Sequence, residues 1–205
     1  MTRRLTAHRT FALQATLTRC PEVALLALTQ QLVLETFFSL SYGVRQLVQI
    51  RADEPSLESY GSDLKGCKAQ VALDQQGDAW RQLLPKEPQR LFAWLLERPA
   101  EERMRLFAYC VARTVNGVSA EEKGSVMDEV AKAAGLDMRE WFSPTAENYF
   151  GSVPKARILE AVREAISPEV AVALAGMKKR ALSQEAEKRL AGTGWLPRVL
   201  RGQAA

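Results

Sequence analysis

The sequence predicts an all-α protein, a compact bundle of about eight to ten helices. Three observations predict it. Apolar residues recur at three- and four-residue spacing in one segment after another, and Pro, Gly and Ser-Pro signals cut the chain at helix-like intervals. Alternating apolar and polar runs joined by hairpin turns are missing, as is any internal repeat. The 205 residues are 47% hydrophobic and 25% charged, which fits a folded chain able to bury a core and does not fit a disordered one.

The elements follow in order. Thr6–Thr18 holds good helix formers and ends at Arg19-Cys20-Pro21. Pro21 suits a first helical turn, where its missing N–H is no loss. Val23–Phe38 is apolar around its circumference and is expected to form the central core helix. Gln30, Gln31 and Glu35 interrupt it, leaving it short of the ~20 apolar residues needed to cross a bilayer. Ala52–Gly66 reads as a long polar loop, and Cys67–Leu73 fits a short strand or a helix equally well.

A helix is expected over Gln75–Leu84, another over Pro88–Glu97 with Leu91, Trp94 and Leu95 on one face, and a third from Pro99 to Asn116-Gly117. The stripe of that third helix is Met104, Phe107, Ala108, Val111 and Val115. Ser119 with Glu122 forms a capping box for a helix that Gly135 closes. Asp137–Phe142 is short, and Ser143-Pro144 opens a helical segment ending at Phe150-Gly151. Pro154–Ile166 is amphipathic, with Ile158, Leu159, Val162 and Ile166 on its apolar side. Ser167-Pro168 starts a short helix to Ala175-Gly176, and a basic last helix runs from Met177 to Leu190. The chain divides into a helical core, 1–150, carrying the polar loop 52–66, and a basic helical segment, 151–205, packed on it within one domain or beside it.

Reactive chemistry is sparse. His8 is the only imidazole, lies ahead of the expected globular part and has no sequence companion, so neither a triad nor a zinc site is expected. Gly192-Thr193-Gly194 follows no strand and lacks the third glycine of a dinucleotide fingerprint, and there is no phosphate-loop motif. The expectation is no enzyme, no metal and no cofactor. Cys20, Cys67 and Cys110 are far apart and odd in number, as a reduced compartment allows. With no leader-like start and no spanning segment, a cytoplasmic location without membrane association is expected.

Charge is uneven along the chain. Residues 1–20 carry four Arg and no acid, residues 21–150 carry 14 basic and 19 acidic side chains, and residues 151–205 carry ten basic and five acidic. A cationic end of this kind attracts phosphate polyanions, or pairs with the acidic middle of its own chain or of a partner. The candidate DNA contacts are Lys155, Arg157, Arg163, Lys178, Lys179, Arg180, Lys188, Arg189, Arg198 and Arg201. Ser143–Ile166 has the outline of a helix-turn-helix, with Lys155 and Arg157 at the start of its second helix, although such pairs also arise from ordinary packing and Glu160 and Glu164 would repel phosphates. Backbone contacts from Lys178 to Arg180 are the simpler way to meet DNA. Trp80, Trp94, Trp141 and Trp195 fit core anchors better than base-stacking platforms, with Trp195 placed to pin the C-terminal tail.

Several strings together resemble plasmid-type ParB-like partition proteins. They are Leu5-Thr6-Ala7-His8-Arg9-Thr10 with Pro21-Glu22-Val23-Ala24, then Gly135-Leu136-Asp137-Met138, Thr145-Ala146-Glu147-Asn148-Tyr149-Phe150-Gly151, Lys155 to Ala165, and Gly192-Thr193-Gly194-Trp195-Leu196-Pro197. Ala52–Lys68 is the weakest part of the match. The resemblance implies plasmid or chromosome partition: binding of centromere-like DNA, work with a partner ATPase, and association with nucleoid or plasmid. The family's nuclease-like, nucleotide-binding domain carries GxRR- and ENxQR-type motifs that this sequence lacks, and Gly43-Val44-Arg45-Gln46 does not replace them. The resemblance therefore reaches only the region C-terminal to that domain, whether through truncation or in a short paralogue, and the nucleotide-dependent activity is not carried over. The expected role is support of DNA binding or assembly. The alternative is a protein-interaction or homodimerisation module without DNA contact.

Overall fold

The computed structural model describes residues 1–28, 53–87, 90–119 and 126–201, and among them every regular element is helical. The α-helices are α1 (Thr2–Leu17), α2 (residues 21–28), α3 (Lys68–Leu83), α4 (Leu91–Glu97), α5 (Ala100–Thr114), α6 (Val126–Ala133), α7 (Lys155–Ala165), α8 (Pro168–Leu174) and α9 (Lys179–Leu190). Short 3-10 turns fill the connections.

The centre of the fold is α1, which packs against α3 and α5 and against the 3-10 turns Leu57–Tyr60 and Arg198–Leu200. It supplies residues to three apolar clusters: Leu5 and Ala12 to the C-terminal one, Ala7, Phe11 and Ala15 to one around Leu64 and Leu73, and Leu13 and Leu17 to one around Ala112 and Met127. Such a helix cannot show one apolar stripe, since every side of it is inside. Its polar groups are satisfied locally or across the core. The Thr10 and Thr16 hydroxyls donate to the carbonyls of Thr6 and Ala12, each at 2.8 Å, and Gln14 Nε2 donates to Val115 O at 2.7 Å. Thr6 Oγ1 and Thr10 Oγ1 accept the amides of Ser119 and Gly117, which fastens the loop after α5 to α1.

The expected core helix, Val23–Phe38, is described only in part, with Ala24 buried. Of Val23–Phe38, residues 29–38 lie outside the described residues, and in the described part Leu26 is 67% exposed and Leu25 41% exposed. The buried centre belongs to the less apolar Thr- and Ala-rich helix before it. The polar loop, described from residue 53, is likewise structured. Its Leu57–Tyr60 and Ser62–Leu64 turns drive Leu57 and Leu64 into the core beside α1. Cys67–Leu73 is helical, continuous with the helix expected after it.

Ser143–Gly151 is the other correction. It is a closed turn, and its Asn148 explains why. Asn148 Oδ1 accepts from Thr145 N at 2.7 Å, Thr145 Oγ1 accepts from Asn148 N at 3.1 Å, and Asn148 Nδ2 donates to Ser143 O at 2.9 Å. Side-chain bonds of this kind offer the backbone an alternative to helix. Gly151 N–H then donates to Ala146 O at 2.8 Å, an approach so close that a Cβ on Gly151 would lie 2.5 Å from that oxygen. The helix-turn-helix outline over Ser143–Ile166 therefore lacks its first helix. The capping-box partner Glu122 of Ser119 lies outside the described residues.

The C-terminal part is built on α7, with α8 and α9 both packed on it. Ile158, Ala161 and Val162 of α7 meet Ala171, Leu174, Leu182, Ala186 and Leu190 in one buried cluster. Ser167 caps α8 by accepting from Val170 N, with Pro168 in the first turn as its sequence suggests. A four-residue turn, Ala175 to Lys178, leads directly into α9. α8 and α9 are thus joined by a short turn, outside the Ser143–Ile166 span in which a helix-turn-helix was expected.

Candidate nucleic-acid interface

The ten candidate cations fall into two groups that the sequence does not separate. Arg157, Arg198 and Arg201 are engaged by α7's own acids. Arg157 Nη1 donates to Glu160 Oε2 at 2.7 Å, Arg198 Nη2 donates to Glu160 Oε1 at 3.0 Å, and Arg201 pairs with Glu164. Trp195 Nε1 adds a bond to Glu164 Oε2 at 2.9 Å, and the Arg201 guanidinium lies 5.5 Å from the centre of the Trp195 ring. Arg201, then Trp195, hold the Glu164 carboxyl below its usual pKa. This cluster fastens Gly192–Arg201 to α7, as expected of Trp195, whose ring also stacks on Phe150 at 6.1 Å. Gly192 and Gly194 sit at φ 76° and 70°, which lets the backbone turn sharply on either side of Thr193. A cleft of about 250 Å³ between α1, α7 and this segment is lined by both its charges and its aromatic rings.

Lys155 and Arg189 are also occupied. Lys155 Nζ donates to Ala175 O at the end of α8 at 3.1 Å, and Arg189 Nε donates to Glu185 Oε1 at 2.6 Å.

The second group is Lys178, Lys179, Arg180 and Lys188 on the α8–α9 unit, with Arg163 on α7. All five are exposed, and none has a side-chain hydrogen bond or ion pair among the described residues. The α9 acids do not compensate them: Glu185 faces Arg189, and Glu187 Oε2 accepts the amide of Ala146 at 2.9 Å. Leu182, Ser183, Ala186 and Leu190 turn inward, leaving Arg180, Gln184 and Lys188 four residues apart along the outward side. Lys178, Lys179 and Arg180 occupy the N-cap and first turn, where no acid is present and no side chain caps the helix. Three cations at the positive end of a helix dipole oppose folding and favour an anion from outside.

His8 departs from its expected place. It is 6% exposed inside α1, and its Nε2 lies 2.6 Å from Asp63 Oδ2. Arg4 Nε donates to the other oxygen of that carboxylate at 2.6 Å, and Arg4 also reaches Glu147 O at 3.3 Å. Phe142 meets the imidazole edge-on at 4.9 Å. Burial lowers the His8 pKa below 6.5, outweighing the bond and charge of Asp63. Burial alone would raise Asp63, but the hydrogen bonds from Arg4 and His8 hold it below its ordinary value. The neutral ring therefore donates Nε2–H to the carboxylate. Asp63 comes from the polar loop 55 residues away, so only the fold reveals this pair. Among the described residues no cluster of three or more His, Cys, Asp or Glu could hold a metal ion. No described helix is long and apolar enough to cross a membrane.

Over 198 residues the chain is 30% identical to the uncharacterized protein YubM of Escherichia coli (strain K12) and 29% identical to YubM of Escherichia coli O157:H7. Each match covers 95% of this chain and 30% of the relative, so the chain spans about a third of the length of the curated relatives it matches. No family model matches the chain, and no solved structure matches it.

Proposed function

We propose that this chain is the C-terminal helical region of a plasmid-type ParB-like partition protein, and that it brings the α8–α9 unit against duplex DNA. The observation that carries this reading is the set of exposed, unpaired cations Lys178, Lys179 and Arg180 at the start of α9, with Lys188 further along it, while the acids of α9 are engaged elsewhere. Phosphate neutralisation by such side chains releases counterions and supplies binding without sequence preference. The α8–turn–α9 connectivity supports the same reading, because it sets a short, well-braced helix with a polar outer side at the surface. In this reading the partition ATPase and the nucleoid or plasmid are the larger partners, and this region contributes grip or assembly without chemistry of its own.

Fluorescence anisotropy with a labelled duplex at increasing salt tests it. Affinity falls linearly on logarithmic axes, and changing Lys178, Lys179 and Arg180 together to Ala reduces that slope by roughly 2.7. No binding by the folded chain at low salt, or an unchanged slope in the triple variant, refutes the proposal. A second reading, a protein-interaction module, is favoured by the apolar exposure of α4.

A further inference from the structure

The outward side of α9 is not built from charge alone. Leu182, Ser183, Ala186 and Leu190 are buried, and the side opposite them carries Arg180, Ala181, Gln184 and Lys188, all exposed. The two acids of the helix are drawn away from this strip, Glu185 to Arg189 and Glu187 to the amide of Ala146. A grip on phosphates needs only cations. Gln184 adds no charge. Its amide is exposed, has no hydrogen-bond partner among the described residues, and stands one helical turn from both Arg180 and Lys188. Ala181 beside it has no side chain beyond Cβ, which leaves room for another surface to approach the helix closely.

A guanidinium and a carboxamide one turn apart match the edges of bases. The carboxamide offers a donor and an acceptor side by side, the pattern that pairs with N6 and N7 of adenine, and the guanidinium offers two parallel donors to O6 and N7 of guanine. Both edges lie in the major groove, which is about 12 Å wide and admits one α-helix. Four residues of helix advance about 6 Å. Stacked bases rise about 3.4 Å per step, so Arg180 and Gln184 reach bases two steps apart. The support is firm, as reading of base edges requires. The inner side of α9 is buried, Ser183 Oγ donates to Lys179 O at 2.9 Å, and Lys155 of α7 holds the carbonyl of Ala175 where the turn into α9 begins.

We propose that α9 reads base sequence in the major groove, with Gln184 bidentate to an adenine and Arg180 bidentate to a guanine, while Lys178, Lys179 and Lys188 hold the phosphates on either side. The inference rests on the reading of the α8–α9 unit as the DNA contact and adds a sequence preference to it.

Selection by the whole folded chain from a pool of duplexes with a randomised centre tests the proposal. The selected sites are expected to share a guanine and an adenine two steps apart, and to bind roughly tenfold or more tighter than a scrambled duplex at the same salt. Gln184→Ala removes roughly tenfold of that preference, leaves affinity for the scrambled duplex within about twofold, and leaves the salt slope unchanged because no charge is lost. Lys179→Ala, by contrast, weakens binding to both duplexes alike. Circular dichroism of the Gln184 variant matches the wild type, since that side chain is exposed. A pool that is bound without enrichment overturns the sequence reading and leaves the phosphate grip standing. Enriched sites that Gln184→Ala holds as tightly as the wild type overturn it as well. No binding of any duplex at low salt overturns both readings together.

Discussion

The indole N–H of Trp195 donates to Glu164 Oε2 at 2.9 Å, joining the segment after Gly194 to the last turn of α7 across 31 residues. Arg201 meets the same carboxylate, so one acid on α7 orders both ends of the Trp195–Arg201 segment. Trp195→Phe keeps most of the ring packing on Phe150 and removes the donor, while Trp195→Ala removes both. The expected losses of unfolding free energy are about 1 kcal/mol and about 3 kcal/mol. Urea denaturation of both variants measures the difference, and equal losses contradict the role assigned to the hydrogen bond.

Arg198 and Lys179 are both exposed cations of the C-terminal quarter, but only Arg198 has carboxylates beside it, at 3.0 and 3.8 Å. Arg198→Ala should leave duplex affinity within about twofold, because its charge is already compensated, whereas Lys179→Ala lowers affinity and takes about 0.9 from the salt slope. Anisotropy titrations at several salt concentrations distinguish them. Equal slopes in the two variants would place the contact surface elsewhere.

The His8–Asp63–Arg4 group makes the fold sensitive to acid. Both His8 and Asp63 have lowered pKa values, so as pH falls below 6.5 the unfolded chain takes up a proton on His8 before the folded one does. Stability is therefore complete above 6.5 and declines as pH drops, with a further loss when Asp63 protonates. His8→Gln removes the first of these losses and should lessen the fall of the melting temperature as pH drops below 6.5. Thermal melts of the wild type and this variant across that fall measure it. A wild-type profile that rises on acidification would show the sign to be wrong.

Thr10 is fully buried and bonds twice, donating to Thr6 O at 2.8 Å and accepting from Gly117 N at 3.2 Å. Thr10→Val keeps the shape and leaves the Gly117 amide without its acceptor. The expected cost is about 1–3 kcal/mol. Thr10→Ser, which retains the oxygen, should cost less, and denaturation of the pair checks the order.

Helix type and most boundaries were legible because they are set locally. Pro21, Ser167-Pro168 and Gly135 mark ends in the sequence, and Gly135 takes φ 65° where α6 closes. Depth was not legible. Thr2–Leu17 looks polar, yet it is inside, whereas in the more apolar Val23–Ala27 Ala24 is buried while Leu25 and Leu26 are exposed. The reason is that Thr hydroxyls return to carbonyls four residues back and cost little to bury. The Asn148 turn was misread for a related reason: three side-chain bonds compete with helix there, and composition does not reveal them. Net charge by segment picks out the basic quarter of the chain in which the candidate cations lie. Which cations stay unpaired depends on Glu160, Glu164, Glu185 and Glu187, whose directions only the packing decides.

The hub position of α1 also bears on how the chain reaches its native state. Leu5 shares a cluster with Leu200, and Arg4 reaches Ser152 across 148 residues. Part of the cover of α1 is thus made only once residues near position 200 have been synthesised, and during translation that side of the helix waits in water or under a chaperone until then. Such distant closure slows folding and raises the risk of misassembly. Refolding from denaturant should accordingly run slower than is usual for helical bundles of similar size.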